Sequence, residues 1–156
     1  MADGTVCFSG HRLIPPQVQK PLADRLEALL VQLIEDGHDR FCAGGALGFD
    51  TLAAQTVLRL KECYPHIRLI LVLPCRTQSH NWSAANRAVY DHILCRADEI
   101  VYTSDEYTNW CMQKRDRYLV DHSDICVCYL TKTTGGTAYT VDYARKKGLS
   151  VINLPE

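Results

Sequence analysis

The chain has 156 residues, of which 47% are hydrophobic and 22% are charged, and its formal net charge at pH 7 is −1. This length and composition are typical of one globular domain, here residues 1–156, and exclude a disordered chain. Because the charge is near zero and no apolar run approaches the roughly 20 residues of a membrane span, we expect neither nucleic acid nor a membrane as a partner.

Short runs rich in apolar and β-branched residues alternate along the chain with longer segments of helical periodicity. The predicted strands are 5–9, 40–43, 68–73, 99–103, 124–130 and 150–154, and the predicted helices are 18–35, 47–62, 82–96, 107–122 and 137–147. Such alternation, with near-continuous apolar strands, predicts an α/β fold: a Rossmann-like, doubly wound, mostly parallel sheet with helices on both faces.

Eight cysteines are scattered over these predicted elements without a CxxC pair or a paired spacing of Cys and His. Cysteines placed in this way are typical of reduced, buried thiols in a cytoplasmic protein, so we expect a cytoplasmic location and no metal site. The predicted strands hold Cys7, Cys42, Cys126 and Cys128, and the predicted helices hold Cys63, Cys95 and Cys111.

Loops that follow the predicted strands carry the residues best suited to binding, because ligands of such folds bind beyond the carboxyl ends of the strands. Glycines after the second and fifth strands let backbone N–H groups approach an anion at a helix N-terminus, and His11, Arg12 and Arg115 supply nearby positive charge. The alternative is that these glycines only permit tight turns and close packing of helix on sheet. The candidate phosphate-binding residues are Gly10, His11, Arg12, Gly44, Gly45, Gly48, Arg115, Thr134, Gly135, Gly136 and Thr137.

Two further side chains, Asp50 and Trp82, have two interpretations each, which the sequence leaves open. Asp50, on the first turn of a predicted helix, either receives a ribose hydroxyl or is a favourable acid at a helix N-terminus. Trp82, with Gln78 in the same polar loop, either stacks on a base or anchors its helix as a partly buried aromatic side chain.

The glycine-rich loops match neither of two common phosphate-binding motifs. The first strand is not followed by GxGxxG, so the chain lacks the standard dinucleotide fingerprint, and no GxxxxGK[ST] occurs, so it lacks a P-loop.

Taken together, these loops resemble the SLOG superfamily of Rossmann-like proteins, which is named for DprA/Smf and the Lonely Guy (LOG) enzymes, and within it the bacterial YpsA-like family. The resemblance covers essentially the whole chain and implies a nucleotide-binding domain. Relatives of this kind commonly form dimers, so it also implies a homodimer, for which Tyr107, Trp110 and Tyr118 are the candidate exposed aromatics. The motifs that carry it are VCFSGHR, FCAGGALGFDTLAA, the Pro74…Gln78…Trp82 spacing, RDRYLVDHSD and GGTAYTVDYA.

The LOG branch of this superfamily hydrolyses the N-glycosidic bond of nucleoside 5′-monophosphates, and its signature is only partly present. Arg115 stands where the LOG arginine would, but Asp116 replaces the neighbouring lysine. Gly135 and Gly136 match the glycine loop, and Asp142 takes the place of the glutamate. The resemblance therefore implies that in a hydrolase Arg115 would bind the substrate and Asp142 would be catalytic.

Three functions follow from these observations. The preferred one is the binding or sensing of a nucleotide-type ligand, such as a nucleoside monophosphate or an ADP-ribose-like molecule, in a regulatory role that requires no further cofactor. The second is a LOG-like phosphoribohydrolase. The third and least favoured is DprA-like binding of single-stranded DNA, because the chain is short, near-neutral and without an obvious aromatic and basic stripe.

Overall fold

Strands and helices alternate along the whole of the computed structural model, which describes residues 4–155. The elements are β1 (Thr5–Gly10), α1 (Pro16–Glu35), β2 (Arg40–Ala43), α2 (Phe49–Lys61), β3 (Arg68–Leu73), α3 (Ala84–Arg96), β4 (Glu99–Tyr102), α4 (Cys111–Asp121), β5 (Ile125–Tyr129), α5 (Gly136–Lys146) and β6 (Ser150–Asn153). Within the described range, no helix combines the length and the apolarity that crossing a membrane requires.

All six described strands form one sheet in the order β4-β3-β2-β1-β5-β6, and every neighbouring pair is parallel. The chain moves outward from β1 to β4, then returns to the other side of β1 to form β5 and β6. The strand order therefore reverses beside β1, which is the position at which open α/β sheets bind their ligands. The predicted Rossmann-like α/β fold is confirmed.

Two apolar cores cover the two faces of the sheet, as the near-continuous apolar strands predict. On β1, Val6 and Phe8 point into the larger core, which contains the buried faces of α1 and α2. Cys7, between them, points into the smaller core beneath α4 and α5. Helices thus lie on both faces, and the carboxyl ends of the strands stay free for a binding site.

Six of the eight cysteines are buried, and Cys126 and Cys128 share one face of β5, as predicted. The prediction of burial is wrong for Cys63 and Cys95, which are exposed. Cys63 follows the end of α2, and Cys95 lies on the solvent-facing side of α3 near its C-terminus. A helical position predicts burial only when it lies on the apolar stripe, and these two residues do not.

Three helices begin later than their apolar pattern predicts: α2 begins at Phe49 and not at residue 47, and α3 and α4 also begin late. Ser83 caps α3 by accepting a hydrogen bond from the backbone N–H of Asn86 at 3.2 Å, so Trp82 precedes the helix. Tyr107 and Trp110 precede α4 and are 67% and 72% exposed. These aromatic residues lie in loops, but their spacing matches the apolar pattern of the following helix. The pattern therefore predicted helix starts that are too early.

The aromatic side chains named as candidate dimer contacts differ in exposure. Tyr107 and Trp110 are open to solvent, whereas Tyr118 is half-buried and stacks on His122 with ring centroids 3.9 Å apart. The prediction that Tyr118 is exposed is therefore wrong, since its ring already stacks on the residue that follows its helix. The homodimer stays a prediction.

The end of β1 packs so closely on α2 that residue 10 has no room for a side chain. A Cβ at Gly10 would overlap the ring of Phe49, which also stacks on Tyr129 at 6.2 Å between centroids. This contact fixes the start of α2 against the end of β1, and so sets the distance between the first two loops of the candidate site.

We expect Gly10→Ala to lower the free energy of unfolding by about 1–3 kcal/mol, because the added methyl group overpacks this contact. Urea denaturation would measure the loss. Gly136→Ala is the matched control, since a Cβ there meets no heavy atom within 4 Å. An unchanged urea midpoint in Gly10→Ala would contradict the close packing.

Candidate functional site

A cavity of about 380 Å³ opens where the strand order reverses, at the carboxyl ends of β1 and β5. We call it the switch-point cavity. The end of β1, the β2–α2 loop, one face of α4 and the β5–α5 loop all contribute to its wall, so the structure brings the two glycine-rich loops to one site. The predicted site residues that line it are Gly10, His11, Arg12, Asp50, Arg115, Thr134, Gly135, Gly136 and Thr137.

The two glycines of the β5–α5 loop have different structural explanations. Gly135 has a φ of 103°, a left-handed conformation that favours glycine, so the tight-turn interpretation accounts for it. Gly136, the first residue of α5, has no positive φ, and a Cβ there would meet nothing within 4 Å. Neither the turn nor packing requires glycine at 136, and its backbone is left bare at the helix N-terminus beside the cavity.

His11 joins two of the loops and is a neutral side chain. Its Nε2 accepts a hydrogen bond from the backbone N–H of Thr131 at 2.9 Å, so the ring proton belongs on Nδ1. Partial burial and the nearby charge of Lys132 lower the pKa of His11. The imidazole therefore positions the β5–α5 loop and does not supply the positive charge that the sequence suggested.

Arg115 is only 6% exposed and spans the space between α4 and the β2–α2 loop. Its Nη1 donates to the backbone carbonyl of Gly44 at 2.5 Å and its Nε donates to Asp116 Oδ1 at 2.7 Å, while Nη2 contacts the sulfur of Met112 at 3.7 Å. Each guanidinium nitrogen thus has a protein partner. The group holds the β2–α2 loop in place, and Asp116 offsets its charge.

Asp50 is a buried carboxylate in the wall of the cavity, 6% exposed. The pKa of Asp50 is raised to about 6, chiefly by burial and also by the charge of Asp116. The charge of Arg115, the N–H of Ala46 and the charge of Arg12 act in the opposite direction and lower it. The backbone N–H of Ala46 donates to Oδ2 at 3.3 Å. A carboxylate held in this way titrates close to neutral pH, unlike an ordinary surface aspartate.

The glycines of the β2–α2 loop lie behind or beside the cavity, and packing accounts for them. Gly45 and Gly48 have φ values of 74° and 78°, and side chains there would press on Leu73 and on the backbone of Arg12. Gly44 leaves space for the guanidinium of Arg115. The interpretation of tight turns and close packing therefore holds for this loop, whereas it fails for Gly136.

The remaining predicted site residues lie outside the switch-point cavity. Gln78 Nε2 donates weakly to the carbonyl of Gly45 and to the hydroxyl of Tyr90, each at 3.4 Å. Trp82 packs edge-on against Tyr90 with centroids 5.1 Å apart, which fits the anchoring interpretation. Asp142 is exposed on α5, pairs with Lys146 at 3.0 Å and borders an adjacent surface groove, which shares the β5–α5 loop with the cavity.

Two charged residues of the cavity were absent from the predicted site. Lys132 is exposed, and its place as the first basic residue after β5 is a signal that could have identified it. Asp116 was noted only as a departure from the LOG pattern, yet it lines the cavity and pairs with Arg115. The periodicity of a helix can place Arg115 and Asp116 next to each other, but it cannot show that both face the same loop.

A parallel sheet with a cavity at the reversal of strand order defines this chain as a Rossmann-like α/β protein. The chain belongs to the YspA SLOG family, whose sequence model matches residues 17–151. The family predicted from the motifs is thereby confirmed.

The chain is similar to an SPbeta prophage-derived protein of Bacillus subtilis, YoqJ, with 35% identity over 138 residues that cover 80% of this chain and 81% of that protein. It is also similar to a UPF0398 protein of Brevibacillus brevis, with 31% identity over 125 residues that cover 78% of this chain and 66% of that protein. The chain therefore spans just under two thirds of the second relative.

Two solved structures share the fold. The DNA processing protein A (DprA) of Streptococcus pneumoniae matches 97% of this chain with a TM-score of 0.70 and 18% identity, and the DprA of Helicobacter pylori matches 97% with a TM-score of 0.71 and 21% identity. This chain corresponds to 50% and 65% of those two proteins. At such identities the likeness concerns the fold alone.

We expect Asp50 to make stability depend on pH between about 4 and 6. The pKa of Asp50 is 3.8 in the unfolded chain and about 6 in the folded protein, so the folded state binds the proton more tightly in this window. The free energy of unfolding therefore falls by about 3 kcal/mol as the pH rises from 4 to 6. The Asp50→Asn variant should lack this decline, so its stability relative to the parent should increase from pH 4 to pH 7. Urea denaturation across this range would measure it, and parallel curves for parent and variant would contradict the assignment.

Proposed function

We propose that the chain binds the phosphate group of a nucleotide or nucleotide-derived ligand in the switch-point cavity, at the N-terminus of α5. The observation that carries this proposal is Gly136, whose bare backbone serves neither the turn nor the packing of the fold. Backbone N–H groups at a helix N-terminus bind anions, and a residue without Cβ allows the closest approach. Such a site needs no additional cofactor.

Positive charge at the mouth of the cavity supports the same ligand. Lys132 and Arg12 are exposed and line the opening. They are free to move toward an arriving phosphate, whereas Arg115 is already held by Gly44 and Asp116. The phosphate would therefore bind to the N-terminus of α5, Lys132 and Arg12. Arg115 would contribute its charge without a direct contact.

A binding and regulatory role accounts for the site better than turnover does. The LOG-like hydrolase hypothesis needs a carboxylate at the ribose, and Asp142 lies outside the cavity, paired with Lys146. The lysine of the LOG pair is replaced by Asp116, which offsets the charge of Arg115. The eight cysteines, which form no disulfide, support the cytoplasmic location expected for such a nucleotide sensor.

We expect Gly136→Val to weaken the binding of AMP and of ADP-ribose at least tenfold while leaving the urea midpoint within error of the parent. The β-branched side chain would occupy the position of the ligand phosphate without clashing with the protein. Calorimetric titration would measure the affinities, and chromatography of the same mixtures would show whether any free base is released.

The matched control is Ala138→Val, which adds the same side chain to the same helical turn but borders the groove of Asp142 and not the switch-point cavity. Unchanged affinity in Gly136→Val would refute the phosphate site. If the parent protein released free base at an enzymatic rate, its function would be hydrolysis and not binding.

A second candidate function, binding of single-stranded nucleic acid, is favoured by one surface feature. Arg117 lies 5.9 Å from the ring centroid of Tyr139 and 5.2 Å from that of Tyr143, and Lys147 Nζ lies 5.5 Å from the latter. The structure thus has an aromatic and basic cluster on α4 and α5, contrary to the expectation from sequence that no such stripe is present. Stacked aromatics with cations are the usual platform for unpaired bases, and the H. pylori DprA of the same fold binds single-stranded DNA.

If this cluster binds nucleic acid, an oligothymidylate should bind the parent with an affinity that falls as salt rises, and Tyr143→Ala should weaken it by about 1–3 kcal/mol. Fluorescence anisotropy would measure both effects. Tyr107→Ala, which removes an exposed tyrosine far from the cluster in sequence, is the control. No measurable binding at 50 mM salt would eliminate this candidate.

A further inference from the structure

We propose that Asp50 and Asp116 form a hydroxyl-binding subsite beside the phosphate position, which makes the cavity selective for ligands with a ribose over those with a deoxyribose. This inference rests on the proposed function and defines its class of ligand. It explains why two carboxylates line a cavity whose other charged groups favour an anion.

Each carboxylate has one oxygen occupied and one available. Asp50 Oδ2 accepts from the N–H of Ala46, and Asp116 Oδ1 accepts from Arg115 Nε. No residue in the described range 4–155 donates a hydrogen bond to Asp50 Oδ1 or to Asp116 Oδ2. Both side chains lie in the cavity wall, so these two oxygens are acceptors without a protein donor at a ligand site.

Arg115 fixes the two carboxylates relative to each other. It binds Asp116 through Nε, and through Nη1 it binds the carbonyl of Gly44, in the loop that leads to Asp50. The acceptors are therefore preorganised and do not have to be ordered by the ligand, which keeps the entropic cost of binding low. Arg115 acts here as a positioning residue.

The charges of the cavity have opposite signs on its two sides. The N-terminus of α5 and Lys132 form a side that is positive only, whereas α4 and the first turn of α2 present the two carboxylates of Asp116 and Asp50 with one buried guanidinium, Arg115, already paired with Asp116. Carboxylates repel a phosphate, so a phosphorylated ligand must place its phosphate toward α5 and a hydrogen-bond donor toward the acids. A sugar phosphate has this polarity, with an anionic 5′ end and neutral 2′ and 3′ hydroxyl donors.

Hydroxyl selection of this kind can be strong. A hydrogen bond from a neutral hydroxyl to a carboxylate contributes more than one between neutral groups. A ligand that lacks the hydroxyl leaves the carboxylate desolvated without a partner, which penalises binding further. The 2′ hydroxyl is also the group by which proteins distinguish ribonucleotides from deoxyribonucleotides.

The test compares AMP, 2′-deoxy-AMP and 2′,3′-dideoxy-AMP, which share base and phosphate, by calorimetric titration of the full chain. We expect the affinity to fall by about 10- to 100-fold from the ribonucleotide to the dideoxynucleotide. In Asp50→Asn and in Asp116→Asn this ratio should shrink severalfold, whatever the change in absolute affinity. Asp91→Asn, an exposed acid on α3 that lines none of the described cavities, should keep the parental ratio.

The outcomes separate this inference from the function on which it rests. Binding that Gly136→Val abolishes but that shows equal affinity for all three nucleotides would overturn the hydroxyl subsite and keep the phosphate site. Binding of none of them, repeated with GMP, CMP and UMP, would overturn both. A loss of binding on adding EDTA would also overturn the subsite, because the carboxylates would then hold a divalent cation and not hydroxyls.

Discussion

The position of β1 between β2 and β5 determines where ligands can meet this protein. Its neighbours come from the two halves of the chain, so the loops after β1, β2 and β5 converge at one edge of the sheet. Helix α4 crosses above this point and contributes Arg115 and Asp116. Four segments distant in sequence thus form one cavity, and each proposed role of a residue in it depends on this strand order.

Two polar contacts, one of them buried, join these four segments in pairs. The Arg115 guanidinium joins α4 to the β2–α2 loop, and the His11 imidazole joins the end of β1 to the β5–α5 loop. Both residues resemble phosphate ligands in the sequence, yet both already contact the protein: Arg115 through all three guanidinium nitrogens and His11 through Nε2. The groups left open to a ligand are the backbone at Gly136, the exposed cations and one oxygen on each of two carboxylates. The cavity therefore has walls that the protein holds together and an exposed, cationic entrance.

The sequence was sufficient for the element order, because the β-branched runs and the leucine stripe of α1 have unambiguous periods. It also identified both glycine-rich loops. It could not separate Gly136 from Gly45 and Gly48, because a glycine that packing requires and one that packing does not require look alike until their neighbours are known. The groove of Asp142 could not be predicted for a related reason: motif position places a residue along a helix, whereas contacts across the fold decide which groove its side chain borders.

The division of the cysteines into two exposed and six buried thiols gives the chain an internal reporter of unfolding. Burial raises the pKa of Cys42 to about 12. The hydrogen bond with Cys126, and then burial, raise the pKa of Cys128 far above its usual range; at Cys126 the hydrogen bond with Cys128 lowers the pKa, but the hydrogen bond with Cys7 and burial outweigh it. These thiols therefore stay protonated and shielded from alkylating reagents. A thiol-reactive dye should count two groups in the folded protein and eight in the unfolded one. The same two surface thiols, on α3 and just beyond α2, offer attachment points for labels that leave the switch-point cavity untouched.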